Sequence, residues 1–170
     1  MPGTVERPLL FLDVDGPLIP FGVTVQPGAH IEPPQDPSAE KLRHDAHPLL
    51  ARLDPEHGRM LAALPCELVW ATTWMADANE VIGPRLGLPQ LPVVDWPHED
   101  EPDARLHWKT RALVAWAAGR ALVWVDDELT DHDRTWVRAN HAGRALLHRV
   151  DPRRGLTPAD FTAISRWLTA

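Results

Sequence analysis

The 170-residue sequence has one cysteine, no tyrosine and only two lysines, Lys41 and Lys109. A lone cysteine, Cys66, excludes an intramolecular disulfide and an all-cysteine metal site. No apolar run approaches the roughly 20 residues that a bilayer-spanning helix needs, so the chain reads as soluble with no membrane partner. The start, MPGTVERPLLFLDVDG, lacks the basic opening and small-residue cleavage site of a secretory signal, and the expected location is cytoplasmic. Basic charge is also scarce: 17 Lys and Arg against 24 Asp and Glu give −7. That balance argues against a broad non-specific nucleic-acid binder, while leaving room for a local basic groove. The Arg, Ala and Pro bias looks like a GC-rich coding background, so arginine abundance by itself carries no functional meaning.

What is present suits one domain over 1–170, with 44% hydrophobic residues. Residues 9–14 (LLFLDV) form an apolar run without helical spacing, as a buried parallel strand would. Similar runs recur at 67–71, 91–94, 121–125 and 145–150. Helical patterns cover 54–64, 75–83, 103–118, 130–140 and 158–168, with Asp54-Pro55 and Thr157-Pro158 as cap and first-turn pairs. The alternation predicts an α/β fold: a three-layer Rossmann-like sandwich around a mostly parallel five-stranded sheet, binding ligands at the strands' carboxyl ends. Eight prolines fall from Pro17 through Pro55, seven of them before residue 55, which makes 16–54 a proline-rich loop or flap. Residues 21–25 could add a small hairpin there. The acidic run 98–103 reads as a solvated connection.

Asp13 and Asp15 flank Val14 where the first strand ends, and Gly16 permits a sharp turn after them. Asp-x-Asp-Gly also occurs in ordinary turns and calcium loops, so the pair needs support from other strands. It comes from Thr72-Thr73 after ELVWA and from Asp126-Asp127 after ALVWV. Carboxylates at the end of an apolar strand are costly to desolvate unless they bind a cation, and oxygen ligands suit magnesium.

DVDG, Thr72, Lys109 and Asp126-Asp127, in that order, resemble the four motifs of haloacid dehalogenase-like phosphatases across residues 9 to about 131. LDVDGPL, ELVWATTW with Asn79 following, GLPQLPVV, the HWK segment and WVDDE are similar to the dehalogenase-type domain of bacterial RNA-repair proteins and stand-alone actinobacterial relatives. The resemblance implies that Asp13 is the nucleophile and Asp15 the acid/base. It implies that Thr72 bonds a phosphate oxygen, with Thr73 as fallback, and that Lys109 balances the charge. It further implies Mg2+ held by Asp13, Asp15 through its carbonyl, Asp126 and Asp127, with Asp127 favoured as the inner ligand. Asp131 repeats the family's acid spacing and equally suits a helix N-terminus. Superfamily dehalogenases lack a carboxylate at the position of Asp15, so dehalogenation is not expected.

Among further candidates, Trp74 could stack on a base, and Asn79 follows it without an assigned role. Trp70, Trp116 and Trp124 read as core. His44 and His47 around Asp45 are the type of exposed loop histidines that seldom bind metal. The proline-rich stretch is too irregular for a helical cap domain, so the enzyme is expected to be capless or nearly so. An open site favours a bulky phosphoester. The expected function is a phosphomonoesterase acting on RNA 3′ or 2′,3′-cyclic phosphate ends or on nucleotides. The alternatives are a small-metabolite phosphatase and a non-catalytic binding or regulatory module on the same fold.

Overall fold

A computed structural model describes residues 6–21, 48–97 and 103–170. The hairpin expected to begin at Phe21, the His44–Asp45–His47 group and most of the acidic run lie outside the described residues.

Four strands form one parallel sheet: β1 (Leu9–Leu12), β2 (Glu67–Trp70), β3 (Leu122–Asp126) and β4 (Ala145–Arg149), in the order β2-β1-β3-β4. The expected fifth strand at 91–94 is not one. That segment meets β2 only at an isolated bridge, Trp70 with Val93, through Trp70 N to Pro92 O (2.9 Å) and Val94 N to Trp70 O (3.0 Å). Pro92 has no amide hydrogen to extend the ladder, and Pro89 restricts the chain just before it, so the edge stops at one bridge.

β1 lies in the middle and is buried along its whole length. Its side chains alternate between two cores, as a strand covered on both faces requires. Leu10 and Leu12 pack on one face with Val123 and Val125, while Leu9 and Phe11 pack on the other with Val69 and Trp124. The first face is covered by helices α1 (Pro55–Ala62), α2 (Gly83–Leu86) and α5 (Pro158–Thr169), through Leu61, Leu86 and Phe161. The second is covered by α3 (Thr110–Ala117) and α4 (Asp131–Asn140), through Leu113 and Val137. The result is a three-layer α/β arrangement. No helix among the described residues is long and apolar enough to cross a membrane.

Local chemistry sets the helix starts. Asp54 accepts the Glu56 amide (2.9 Å) with Pro55 in the first turn of α1, and Thr130 and Thr157 each form a reciprocal capping box with an aspartate three residues on. Two helices begin later than their sequence patterns predict. The 75–83 pattern becomes a π-helical turn, Ala78–Ile82, leading into α2, which ends at Gly87 in the left-handed region (φ 68°). In the 103–118 pattern, side-chain acceptors capture the early amides: His107 N donates to Asp133 Oδ1 (2.7 Å) and Lys109 N to His107 Nδ1 (3.1 Å). Helix therefore starts only at Thr110.

Asn79, a substrate candidate by sequence, is a clasp in the fold. Its Oδ1 accepts from Trp70 Nε1 (2.9 Å) and Leu91 N (2.8 Å), and its Nδ2 donates to Leu91 O (2.8 Å). The side chain thus ties the edge segment to β2. Asn79→Ala leaves the indole N–H of Trp70 without an acceptor and should cost about 2–4 kcal/mol in urea unfolding. Catalytic turnover per folded molecule should be little changed.

Candidate active site

The sheet register assembles the site. Leu12 pairs with Trp70 on one side and Val125 on the other, so the next row across three strand ends is Ala71, Asp13 and Asp126. Lys109, delivered at the start of α3, lies on that row. Its ammonium donates to Ala71 O (2.9 Å) and Asp126 Oδ2 (2.9 Å) and pairs with Asp13 Oδ1 (3.2 Å). Three acceptors match the three N–H bonds of a lysine that is only 3% exposed.

Asp13 Oδ1 also accepts the Val14 amide (2.9 Å). Asp15 sits half-buried, its Oδ2 accepting from Trp74 Nε1 (3.2 Å). The turn after it depends on Gly16, whose φ is 100°. A Cβ there would come within 2.7 Å of the Asp127 carboxyl carbon, so the glycine is needed both for its conformation and for the close approach of Asp127.

Oxygen atoms of Asp13, Asp126 and Asp127 lie within 4.8 Å of one another. Burial pushes the Asp13 carboxyl up to about 8; Lys109 opposes this and Asp126 adds to it. Asp127 is pushed up to about 6 by burial and by neighbouring Asp126. Burial works against the charge on Lys109, but Asp13 and Asp126 outweigh it and hold the ammonium above its usual pKa. An oxygen-only cluster with this much unrelieved repulsion, beside a lysine whose protons are already committed, fits a hard divalent cation.

A cleft of about 170 Å³ opens onto Asp13, Asp15, Lys109 and Asp127. Its remaining wall is made by Thr73, Glu128 and two aromatic rings, Phe21 and Trp108. Thr72 is fully buried, its hydroxyl accepting the Trp74 amide (3.2 Å), whereas the exposed Thr73 faces the cleft. Trp74 is buried among core residues, and its indole engages Asp15 in place of an open stacking face. Asp131 is outside the cleft, its side chain 100% exposed and paired with Arg134 (3.0 Å), as a helix-start acid would be. Trp70 and Trp124 lie in the core, but Trp116 is a surface residue touching Phe11 edge-on.

Three participants are missed by the sequence reading. Trp108 is 45% exposed at the cleft wall, with Lys109 Nζ 5.4 Å from its ring centre. His107 is nearly enclosed, its Nε2 3.4 Å from Glu128 Oε2 and 3.9 Å from Asp126 Oδ1. Desolvation holds this imidazole below its usual pKa. Asp133, fully buried, bonds His107 N, Thr110 Oγ1 and Thr130 Oγ1. The signal for the first two was their place next to Lys109, which the expected helix over 103–118 concealed as ordinary helix-face positions.

A parallel α/β sheet with paired acids at adjoining strand ends and a lysine between them defines a haloacid dehalogenase-like (HAD) domain. The family described as the HAD domain in Swiss Army Knife RNA repair proteins matches residues 9–161, and the chain belongs to it. HAD domains are in general phosphatase-type hydrolases. No curated protein and no solved structure matches the chain significantly.

The raised carboxyls make metal-free stability depend on pH. Between its unfolded pKa of 3.8 and its folded value of about 8, Asp13 stays protonated in the folded protein after the unfolded chain has lost the proton. This pair of states therefore lowers unfolding free energy as pH rises through that window, with Asp127 adding to the fall between 3.8 and about 6. In EDTA, Tm should decline from mildly acidic to mildly alkaline pH, and Asp13→Asn should flatten the decline. Mg2+ should raise Tm more at the alkaline end, where its ligands are already ionised. A thermal-shift series at several pH values checks all three.

Proposed function

We propose that the protein is a magnesium-dependent phosphomonoesterase that works through an aspartyl-phosphate on Asp13 and takes phosphorylated nucleic-acid ends, RNA 3′ or 2′,3′-cyclic phosphates, or nucleotides. The observation that carries the reading is the division of labour between the two acids. Asp13 is fixed against Lys109, while Asp15, two residues on, is turned aside to the Trp74 indole.

Asp13 Oδ1 is occupied by Lys109 and the Val14 amide, which leaves Oδ2 to attack phosphorus. That attack forms the Asp13 O–P bond as the ester O–P bond breaks, and Asp15 delivers a proton to the departing oxygen. Water then attacks the phosphorus of the aspartyl-phosphate, Asp15 takes its proton, and Asp13 is restored as inorganic phosphate leaves from a monoester; a 2′,3′-cyclic phosphate, a diester, passes through the cycle once to the monoester and a second time to inorganic phosphate. Thr73 reaches the cleft as a hydroxyl for a phosphate oxygen, with Thr72 supporting the turn behind it. Asp13, Asp126 and Asp127, with the backbone carbonyl of Asp15, would hold Mg2+, which supplies charge neutralisation between nucleophile and phosphate when bound.

A substrate larger than a free metabolite is supported by the exposed indole of Trp108, which stands at the edge of the cleft.

Hydrolysis of p-nitrophenyl phosphate should require Mg2+ and should fall at least about 1000-fold in Asp13→Asn; equal rates for the two proteins would end the assignment. Asp15→Asn should lower kcat/KM by about 100-fold or more for alkyl phosphates, and by less for p-nitrophenyl phosphate, whose leaving group needs little protonation. Phosphate release from a 3′-phosphorylated oligonucleotide should exceed that from the mononucleotide. The reverse preference would favour a small-metabolite phosphatase.

A further inference from the structure

Two side pockets adjoin the cleft, and their charges are opposite. One, of about 370 Å³, shares Trp108 and Glu128 with the cleft and adds Asp103 and Asp133 against a single Arg105. The other, of about 230 Å³, shares Phe21 with the cleft and is lined otherwise by Pro20, Arg52 and Arg153, with no acid among the described residues. In a protein of net charge −7 whose cleft already holds Asp13, Asp15, Asp127 and Glu128, the second of these two pockets is the one whose described lining offers an extended polyanion the less repulsion.

The pocket is held together by bonds between loops. Arg52 Nη1 donates to Pro20 O (2.7 Å), which fixes that guanidinium across the chain leaving β1. Phe21 N donates to Pro152 O (2.7 Å) and Leu156 N to Pro17 O (2.8 Å), joining the loop after β1 to the loop after β4. Arg153 N donates to Asp151 Oδ1 (2.9 Å), shaping the turn that presents Arg153. Phe21 is 40% exposed at the boundary between pocket and cleft.

We propose that Phe21, Arg52 and Arg153 form a subsite for the nucleotide next to the phosphorylated end of a single-stranded nucleic acid. The two guanidiniums receive the adjoining phosphodiester, for which their planar forks are suited, and Phe21 offers its ring to a base. The proposal rests on the reading of the cleft as a nucleic-acid end phosphatase. It adds the direction in which the strand leaves, and it explains how an acidic protein could prefer an oligonucleotide to a mononucleotide.

The test measures binding and turnover separately. Fluorescence anisotropy with a 5′-labelled, 3′-phosphorylated oligonucleotide gives Kd across a salt series for wild type, for the Arg52→Gln/Arg153→Gln double variant and for Arg105→Gln. Glutamine ends where Arg52 Nε stands, short of the Pro20 carbonyl that Nη1 reaches, so Arg153→Gln alone, which leaves that bond intact, is measured alongside and should weaken binding in the same direction. The double variant should bind about tenfold more weakly, with a log Kd against log salt slope smaller by about 0.7 for each phosphate that is no longer neutralised. Arg105→Gln should bind as wild type does. In steady-state assays, the ratio of kcat/KM for the oligonucleotide to that for p-nitrophenyl phosphate should fall about tenfold in the double variant. Unchanged affinity and ratio in the double variant, an equal loss in Arg105→Gln, or no oligonucleotide binding by wild type would each overturn the subsite. Any of these can occur with p-nitrophenyl phosphate hydrolysis intact, so a failed subsite is distinguishable from a failed phosphatase.

Discussion

The ammonium of Lys109 is shared by groups from three adjacent strand ends, Ala71 O, Asp13 Oδ1 and Asp126 Oδ2. Burying that many charges is unfavourable unless each is paired and bonded, and here the pairing is complete on the lysine's side only. One positive charge stands against three carboxyls, Asp13, Asp126 and Asp127, and cannot balance them all. Burial first, and the neighbouring Asp126 after it, raise the pKa of Asp13 and Asp127. Much of the surrounding structure can be understood as holding this unbalanced row in place.

That holding runs backward from the site in discrete steps. Asp133 is the capping acid of α4, and it also fixes the His107 amide and the Thr110 hydroxyl. Burial alone would raise its pKa, but these hydrogen bonds and those from Thr130 keep it below the usual carboxylate range. His107 in turn accepts the Lys109 amide at Nδ1, a role that needs the neutral imidazole which desolvation favours. One helix cap therefore determines where the lysine chain begins, and the lysine determines how Asp13 and Asp126 lie. On the other side, Trp74 orients Asp15, and the missing side chain of Gly16 admits Asp127.

The parts of this arrangement that are legible in the sequence are those written as contiguous pattern. β1, β2, β3 and β4 are short apolar runs, and each active-site acid follows directly from one of them. Pairings across sequence distance are not legible. Asn79 reads as a site residue because it follows the motif-two threonines, yet its amide is complementary to the backbone of Leu91 and the indole of Trp70. Trp74 reads as a stacking surface, but its indole N–H has Asp15 as acceptor. The helix expected over 103–118 misplaces His107 and Trp108 because propensity does not register that Asp133, far along the chain, captures an amide that a helix would need. The apolar run at 91–94 has strand composition, but Pro92 limits what it can donate.

Local charge then decides what net charge could not. A value of −7 argues against nucleic acid as a general partner, and the cleft itself holds Asp13, Asp15, Asp127 and Glu128 against a single lysine. A cation bound among Asp13, Asp126 and Asp127 would reverse the field only within a few ångströms, enough for one phosphate group but not for a chain of them. A longer anion needs a second source of positive charge at the cleft's edge. Arg52 and Arg153 supply it on the Phe21 side, whereas Asp103 and Glu128 oppose it on the Trp108 side. On the proposed reading, a bound cation would let this acidic surface admit a polyanion with a terminal phosphate, along the path lined by Phe21, Arg52 and Arg153.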